Sequence, residues 1–251
     1  MEPIIELKNI RKRFGDHEVL KGLELAIRPG TVSVIIGGSG GGKSVLLKHV
    51  IGLLKPDEGQ VFVDGQDTVP LSERELTEIR KKFGVLFQEA ALFDSMNVEE
   101  NVAFPLVEHT KLSAAEIQRV VAEKLASVGL SGQGPKMPSE LSGGMRKRVG
   151  LARAVALDPK IVLFDEPTSG LDPVMGANIN DLILRTRDEF GATCVVISHD
   201  IQATFAIADE IFMLYDGKII ASGTPESIKD SQDPVVQQFI QGKAEGPIQI
   251  A

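Results

Sequence analysis

Cysteine is nearly missing: Cys194 is the only one in 251 residues. One thiol closes no internal disulfide, so stability must come from the core, and a reducing compartment such as the cytosol suits the chain. Cys194 lies in an apolar run and reads as a buried structural thiol. No stretch approaches the roughly 20 apolar residues that span a bilayer, so no transmembrane helix is expected. Residues 1–7 lack a basic segment and a small-residue cleavage site, and no signal peptide is expected. An excess of positive charge is missing too. The net charge is −8, which disfavours nucleic acid as the main partner. It leaves a membrane protein open as a partner, because local surface decides such contacts. Repeats, low-complexity tracts and coiled-coil heptads are not found. The remaining composition, 43% hydrophobic and 25% charged, is that of a soluble globular chain with room for one large domain or two small ones.

Glycine, by contrast, is concentrated where chemistry needs it. Gly37, Gly38, Ser39, Gly40, Gly41, Gly42, Lys43 and Ser44 fit G-x-x-x-x-G-K-[ST], the phosphate-binding loop. Glycines let successive backbone N–H groups curl around one anion, because no Cβ obstructs positive φ or close approach. Lys43 brings a point charge to β- and γ-phosphates, and Ser44 offers a hydroxyl to Mg²⁺. Residues 31–36 before the loop form a short β-branched run, as a buried strand would. Residues 45–51, starting at Val45, continue as a helix whose N-terminus faces the phosphate.

Around this loop the chain alternates. Residues 4–7 and 19–27 read as strands, with Lys12, Arg13, Phe14 and Gly15 between them. Residues 59–65 read as another strand, so the N-terminal third is partly antiparallel sheet. Residues 72–80 form a short helix and residues 82–88 a core strand ending at Gln88. Residues 89–137 turn helical. Ser113 and Glu116 have capping-box spacing, and Ile117, Val120, Val121, Leu125 and Val128 share one apolar face of a small helical subdomain. Residues 142–156 form a helix with Arg and Lys on one side. Residues 159–166 form a buried strand ending in Asp165 and Glu166. Residues 174–189 are helical, and residues 193–199 form a strand ending at His199. A helix to about residue 208, a strand pair around Asp216 and Gly217, and a helix opening at Thr224 and Pro225 complete the pattern. Strand–helix alternation of this kind implies an α/β fold with a mostly parallel sheet.

Parallel strands deliver their C-terminal ends to one sheet edge, where ligands bind in open α/β folds. The phosphate loop, Gln88, Asp165–Glu166 and His199 would all arrive there. Asp165 is placed to hold Mg²⁺ through water, opposite Ser44. Glu166 is the candidate to orient and deprotonate an attacking water, against the plainer role of a helix-cap carboxylate. Gln88 contacts either Mg²⁺ or that water. His199 is placed to bond a γ-phosphate. His17, His49 and His109 gain no comparable support. Phe14 is either a base-stacking ring or a core or turn aromatic. Ser142, Gly143 and Gly144, after Leu141, make a capped helix start with exposed N–H groups, a second anion site. One phosphate loop and one separate phosphate-reading helix invite a head-to-tail dimer, each nucleotide held between Lys43 of one copy and Ser142 of the other.

In this order the phosphate loop, Gln88, Leu141–Gly144, Asp165–Glu166, residues 169–172 and His199 resemble the ATP-binding cassette (ABC) ATPases over nearly the whole chain. The resemblance implies a single nucleotide-binding domain over 1–251. It has a P-loop core, an N-terminal antiparallel β subdomain, an inserted helical subdomain near 89–158, and a tail from 224. It implies ATP and Mg²⁺ as cofactors and Phe14 as the adenine-stacking aromatic. Asp172 would lie on the loop joining the two sites, and residues 89–107 would dock a helix of a transmembrane permease. Met145 departs from the Gln that commonly ends the signature. With Pro138–Glu140, residues 101–110 and the tail from Asp233, that departure is similar to the maintenance-of-lipid-asymmetry (Mla) ATPases of MCE-linked, toluene-tolerance transporters. The implied cargo is phospholipid moved between inner and outer membranes. The implied partners are the permease, an MCE-domain protein and in some systems a STAS-domain protein. The implied place is the cytoplasmic face of the inner membrane. Rival readings are another import or export ATPase, such as one for amino acids, a soluble ABC protein, and a non-catalytic nucleotide sensor.

Overall fold

The computed structural model describes residues 2–248. In chain order the elements are β1 (Ile5–Phe14), β2 (His17–Ile27), β3 (Val32–Ile36), α1 (Lys43–Val50), β4 (Glu58–Val63), β5 (Gln66–Asp67), α2 (Glu73–Arg80), β6 (Phe83–Leu86), α3 (Val98–His109) and α4 (Ala114–Ser127). There follow α5 (Gly143–Ala154), β7 (Ile161–Asp165), α6 (Pro173–Phe190), β8 (Thr193–Ser198), α7 (Ile201–Ile207), β9 (Glu210–Tyr215), β10 (Lys218–Gly223), α8 (Pro225–Lys229) and α9 (Pro234–Gln241). The chain forms two compact units, one of Met1–Arg80 with Val195–Ala251 and one of Lys81–Cys194. Strand β8 crosses that division.

The first unit holds an antiparallel sheet in the order β2-β1-β4-β5. Strand β1 is longer than its alternation suggests. Its register against β2 shifts between Leu7 and Ile10, and Asn9 there has φ 50°. A bulge of this kind breaks the two-residue period while keeping the pairing, so the strand runs on to Phe14. Gly59 allows the β4 crossing, since a Cβ would lie 2.4 Å from the Lys8 carbonyl oxygen. The same unit contains β3, every residue of which is buried. It pairs in parallel with β9, Val34 opposite Ile211, and β10 returns antiparallel along β9. A continuous apolar run covered on both faces is what a buried parallel strand requires.

The tail belongs to this unit. Asp233 caps α9, and Val236 and Gln238 are its buried residues. The Gln238 amide donates to the carbonyls of Lys243 and Ile248, and Ile248 N–H donates back to Gln238 Oε1 at 2.6 Å. Residues 243–248 are thereby folded onto their own helix. Phe239 and Ile240 are half-buried.

In the second unit β6 and β7 pair in parallel, Leu86 opposite Phe164. Gly84 permits close helix–strand packing, because a Cβ there would meet the Ala154 carbonyl oxygen at 2.2 Å. Helix α4 begins at the expected capping box of Ser113 and Glu116; of its expected apolar face Val121, Leu125 and the C-cap Val128 are buried, while Ile117 and Val120 are half-buried. Residues 89–137 are not continuously helical. They hold α3 and α4 with irregular segments on either side, and α3 starts at a second capping box, Asn97 with Glu100. Parallel pairing in β3–β9 and β6–β7, a separate antiparallel sheet and a helical segment place the fold in the α/β class.

Candidate active site

The glycine loop stands between buried β3 and α1 in the first unit. Gly37 is obligatory by close approach, as a Cβ would fall 2.2 Å from the Leu214 carbonyl oxygen. Gly40 and Gly42 have φ of 73° and 97°, conformations that side chains rarely adopt. Gly38, Ser39 and Gly40 are exposed, and nothing lies within 4 Å of where a Cβ on Gly38 or Gly40 would sit. The loop is an open cradle rather than a packed turn. Gly42 caps α1 with no side-chain bond, and no acidic residue stands in the first turn. The first N–H groups of the helix therefore keep their preference for an anion.

Lys43 is buried at 7% exposure, with Nζ 2.8 Å from the carbonyl oxygens of both Gly37 and Gly38. Ser44 is exposed and Val45 half-buried. His199, just past the end of β8, is exposed. Phe14 closes β1 with 49% of its surface open and Lys12 Nζ 5.7 Å from its ring centre. The core alternative for Phe14 is therefore removed. His49 is buried, its Nδ1–H donating to the Val45 carbonyl at 2.7 Å.

The second unit carries the carboxylates. Strand β7 ends at Asp165, and Glu166 follows at φ 48°. A non-glycine residue held there costs about 1–3 kcal/mol, and such strain concentrates at functional sites. The loop after it is tied down on several sides. Ser169 N–H donates to the Glu166 carbonyl at 3.1 Å. Gln88 donates from Nε2 to Ser169 Oγ at 3.2 Å. Gln88 lies past the end of β6 rather than within the strand. Asp172 caps α6, accepting from the N–H groups of Val174 and Met175, each at 3.0 Å.

Ser142 is the N-cap of α5, its hydroxyl accepting from Met145 N–H. Ser142 and Gly143 are exposed while Gly144 is buried, and a Cβ on Gly144 would meet Met175 Cε at 2.0 Å. The expected basic side of this helix is corrected in one place. Lys147 is buried, and its ammonium donates to the carbonyls of Pro167 at 2.8 Å and Ser169 at 2.6 Å. Burial pushes its pKa down, while Glu89 and Glu166 nearby oppose that shift. Sequence reasoning missed Lys147 because a lysine defaults to solvent. The available signal was its spacing, three residues after Gly144 and four before Leu151, both buried on α5.

A strand–glycine loop–helix cradle on one unit, and a strand ending in paired carboxylates on the other, define a P-loop nucleotide-binding α/β protein. Comparison with known proteins refines that class. A family model described as ABC transporter matches residues 20–169. The probable ribonucleotide transport ATP-binding protein mkl of Mycobacterium tuberculosis is 48% identical over 244 residues, 97% of this chain and 68% of the relative. The intermembrane phospholipid transport system ATP-binding protein MlaF of Haemophilus influenzae is 45% identical over 245 residues, 98% of this chain and 93% of the relative. Among solved structures, the dimeric post-hydrolysis ATP-binding cassette MJ0796 bound to ADP and Pi superimposes with a TM-score of 0.81. It is 35% identical and covers 88% of this chain and 98% of that one. The chain belongs to the ABC transporter family, as one of its ATP-binding, ATP-hydrolysing cassettes.

Proposed function

We propose that this chain is the ATPase of a membrane transporter that moves phospholipid between an inner and an outer membrane. The observation carrying the cargo is the MlaF match, which runs through 98% of this chain and 93% of MlaF. Ribonucleotide is the second reading, favoured by the printed name of the mycobacterial relative. Mass spectrometry of the purified complex tests both: co-purified phospholipid is expected, and ribonucleotide cargo without lipid overturns the first reading. In this proposal 1–251 is one cassette, with 89–158 its helical subdomain and 224–251 its tail. Its partners are a second copy, a transmembrane permease docked on residues 89–107, an MCE-domain protein and in some systems a STAS-domain protein. Among the described residues no helix is long and apolar enough to cross a membrane. The chain would attach to the cytoplasmic face through the permease, and co-fractionation with membranes checks this.

The chemistry is water attack on the γ-phosphorus of ATP, releasing ADP and phosphate. The N–H groups of the loop from Gly37 to Ser44 and of Val45 cradle the phosphates, and Lys43 exchanges its carbonyl acceptors for phosphate oxygens. Phe14 stacks on adenine. Glu166 accepts the proton of the attacking water, Gln88 orients that water, and His199 bonds the γ-phosphate. Among the described residues no ready-made cage of three or more His, Cys, Asp or Glu side chains exists. That suits Mg²⁺, which takes few protein ligands and completes its shell with phosphate and water. Ser44, Gln88 and, through water, Asp165 would hold it, and once bound it neutralises charge on the β- and γ-phosphates. The partner subunit's Ser142, the partner's Gly143 and the partner's Gly144 complete the site, so ATP closes the dimer and hydrolysis reopens it.

Glu166→Gln is expected to keep ATP affinity, lower kcat by about a hundredfold or more, and accumulate closed dimer. Parent-rate hydrolysis by that variant would remove Glu166 as the base.

A further inference from the structure

We infer that Lys147 is a positioning residue for hydrolysis, fastening the signature helix α5 to the loop that presents Glu166. The inference rests on the proposed role of Glu166 as base. Three observations carry it. Lys147 is 6% exposed and makes two short bonds, to Pro167 and Ser169, the carbonyls on either side of Thr168. The residue entering that loop is Glu166 itself, at φ 48°, a backbone conformation that is strained for a non-glycine residue. Ser169, whose carbonyl Lys147 grips, also receives the Gln88 side chain and returns its own N–H to the Glu166 carbonyl. Two candidate site residues, Gln88 and Glu166, thus converge on a segment that Lys147 clamps.

A lysine is suited to this place. Its three donors gather carbonyls that converge from one turn, and its positive charge sits near Glu89 and Glu166. A neutral amide has two donors and no charge to set against Glu89 and Glu166, and an apolar side chain takes the ammonium donor from the buried Pro167 carbonyl and the part-buried Ser169 carbonyl. The clamp also has a second consequence. Ser142, which reads the partner's nucleotide in the proposed dimer, caps the same helix that carries Lys147. The strained turn at Glu166 and the phosphate-reading end of α5 are therefore joined by one side chain.

The test measures ATP hydrolysis by the full chain in its purified transporter complex, with Lys147→Met, Lys147→Gln and Lys147→Arg beside Glu166→Gln. Turnover is expressed per nucleotide-binding site, counted by equilibrium ATP binding, so that misfolded protein drops out. For Lys147→Met we expect kcat per site at least tenfold below the parent and a KM for ATP within about twofold of it. Lys147→Arg should recover kcat to within threefold of the parent, and Lys147→Gln should fall between. A parent-like kcat per site in Lys147→Met overturns the inference, as does loss expressed wholly in the number of binding sites, the mark of a merely structural residue. Should Lys147→Met not fold, the Gln variant decides, since parent-like kcat per site there is equally fatal. Hydrolysis by Glu166→Gln at the parent rate would instead sink the reading of Glu166, which this design reports separately.

Discussion

His49 couples pH to stability on the helix that follows the glycine loop. It lies on α1, 1% exposed, donating from Nδ1 to Val45 while its Nε2 is buried with no hydrogen-bond partner among the described residues. Protonation would place a charged donor where nothing accepts it. Burial accordingly lowers its pKa below the ordinary 6.5, with Lys12 adding to the shift and Val45 and Asp57 opposing it. The sign follows from linkage. Above about pH 6.5 the imidazole is neutral in both folded and unfolded chains, and its contribution is fully present. As pH falls below that value the unfolded chain takes up the proton first, so stability is lost, by at most about 1.4 kcal/mol per pH unit, until the folded imidazole also protonates. His49→Gln removes this titration. Its Tm should fall less than the parent's between about pH 7 and 5, a difference that thermal denaturation across that window reads. Equal slopes would assign the acid sensitivity elsewhere. Lys43 acts at the same scale with a different readout. Its ammonium already rests at the loop mouth on the Gly37 and Gly38 carbonyls, so Lys43→Ala should weaken ATP binding at least about tenfold, as loss of one strong charged contact does.

The elements show what a sequence reveals and what it conceals. Helix α4 was legible because its Ser113–Glu116 box and apolar face are both short-range patterns. The equivalent Asn97–Glu100 box of α3 carries the same chemistry with a different cap residue, and Pro105 inside that helix obscures its extent. The full length of strand β1 is hidden in the sequence because its bulge at Asn9 breaks the alternation by which strands are recognised. The phosphate loop and the Asp165–Glu166 strand end were legible because their residue types are demanded locally. Lys147 was not, since its burial depends on α5 meeting the loop at residues 167–169, a long-range event. The tail is another such case. Gln238 turns residues 243–248 back onto α9, a contact that no short-range pattern announces. Three hydrogen bonds through one amide hold that segment, beside the backbone bond from Lys243 N–H to the Gln238 carbonyl. Gln238→Ala should therefore expose the Lys243 peptide, raising its tryptic cleavage rate by about tenfold or more while the global Tm moves little. Unchanged cleavage would mean that other contacts hold the segment.

For the whole molecule, the decisive feature is that the glycine loop and the capped start of α5, the two phosphate readers of the proposed dimer, stand on separate units. Lys43 lies in the first unit and Ser142 in the second. In the proposed head-to-tail dimer each nucleotide would take Lys43 from one copy and Ser142 from the other, which makes a complementation experiment possible. Lys43→Ala damages both sites of its own dimer, and Ser142→Arg, placing bulk where the γ-phosphate docks, does the same. When the two variants are mixed, half of a random population is heterodimer. In each heterodimer one site collects both defects, and the other collects neither, having Lys43 from the Ser142→Arg copy and Ser142 from the Lys43→Ala copy. ATP occlusion should therefore return to about a quarter of the parent level on mixing, although neither variant alone occludes ATP. A chain that completed its site from its own Ser142 would show no recovery at any mixing ratio. Occlusion is the proper readout because it counts assembled sites without requiring both to hydrolyse.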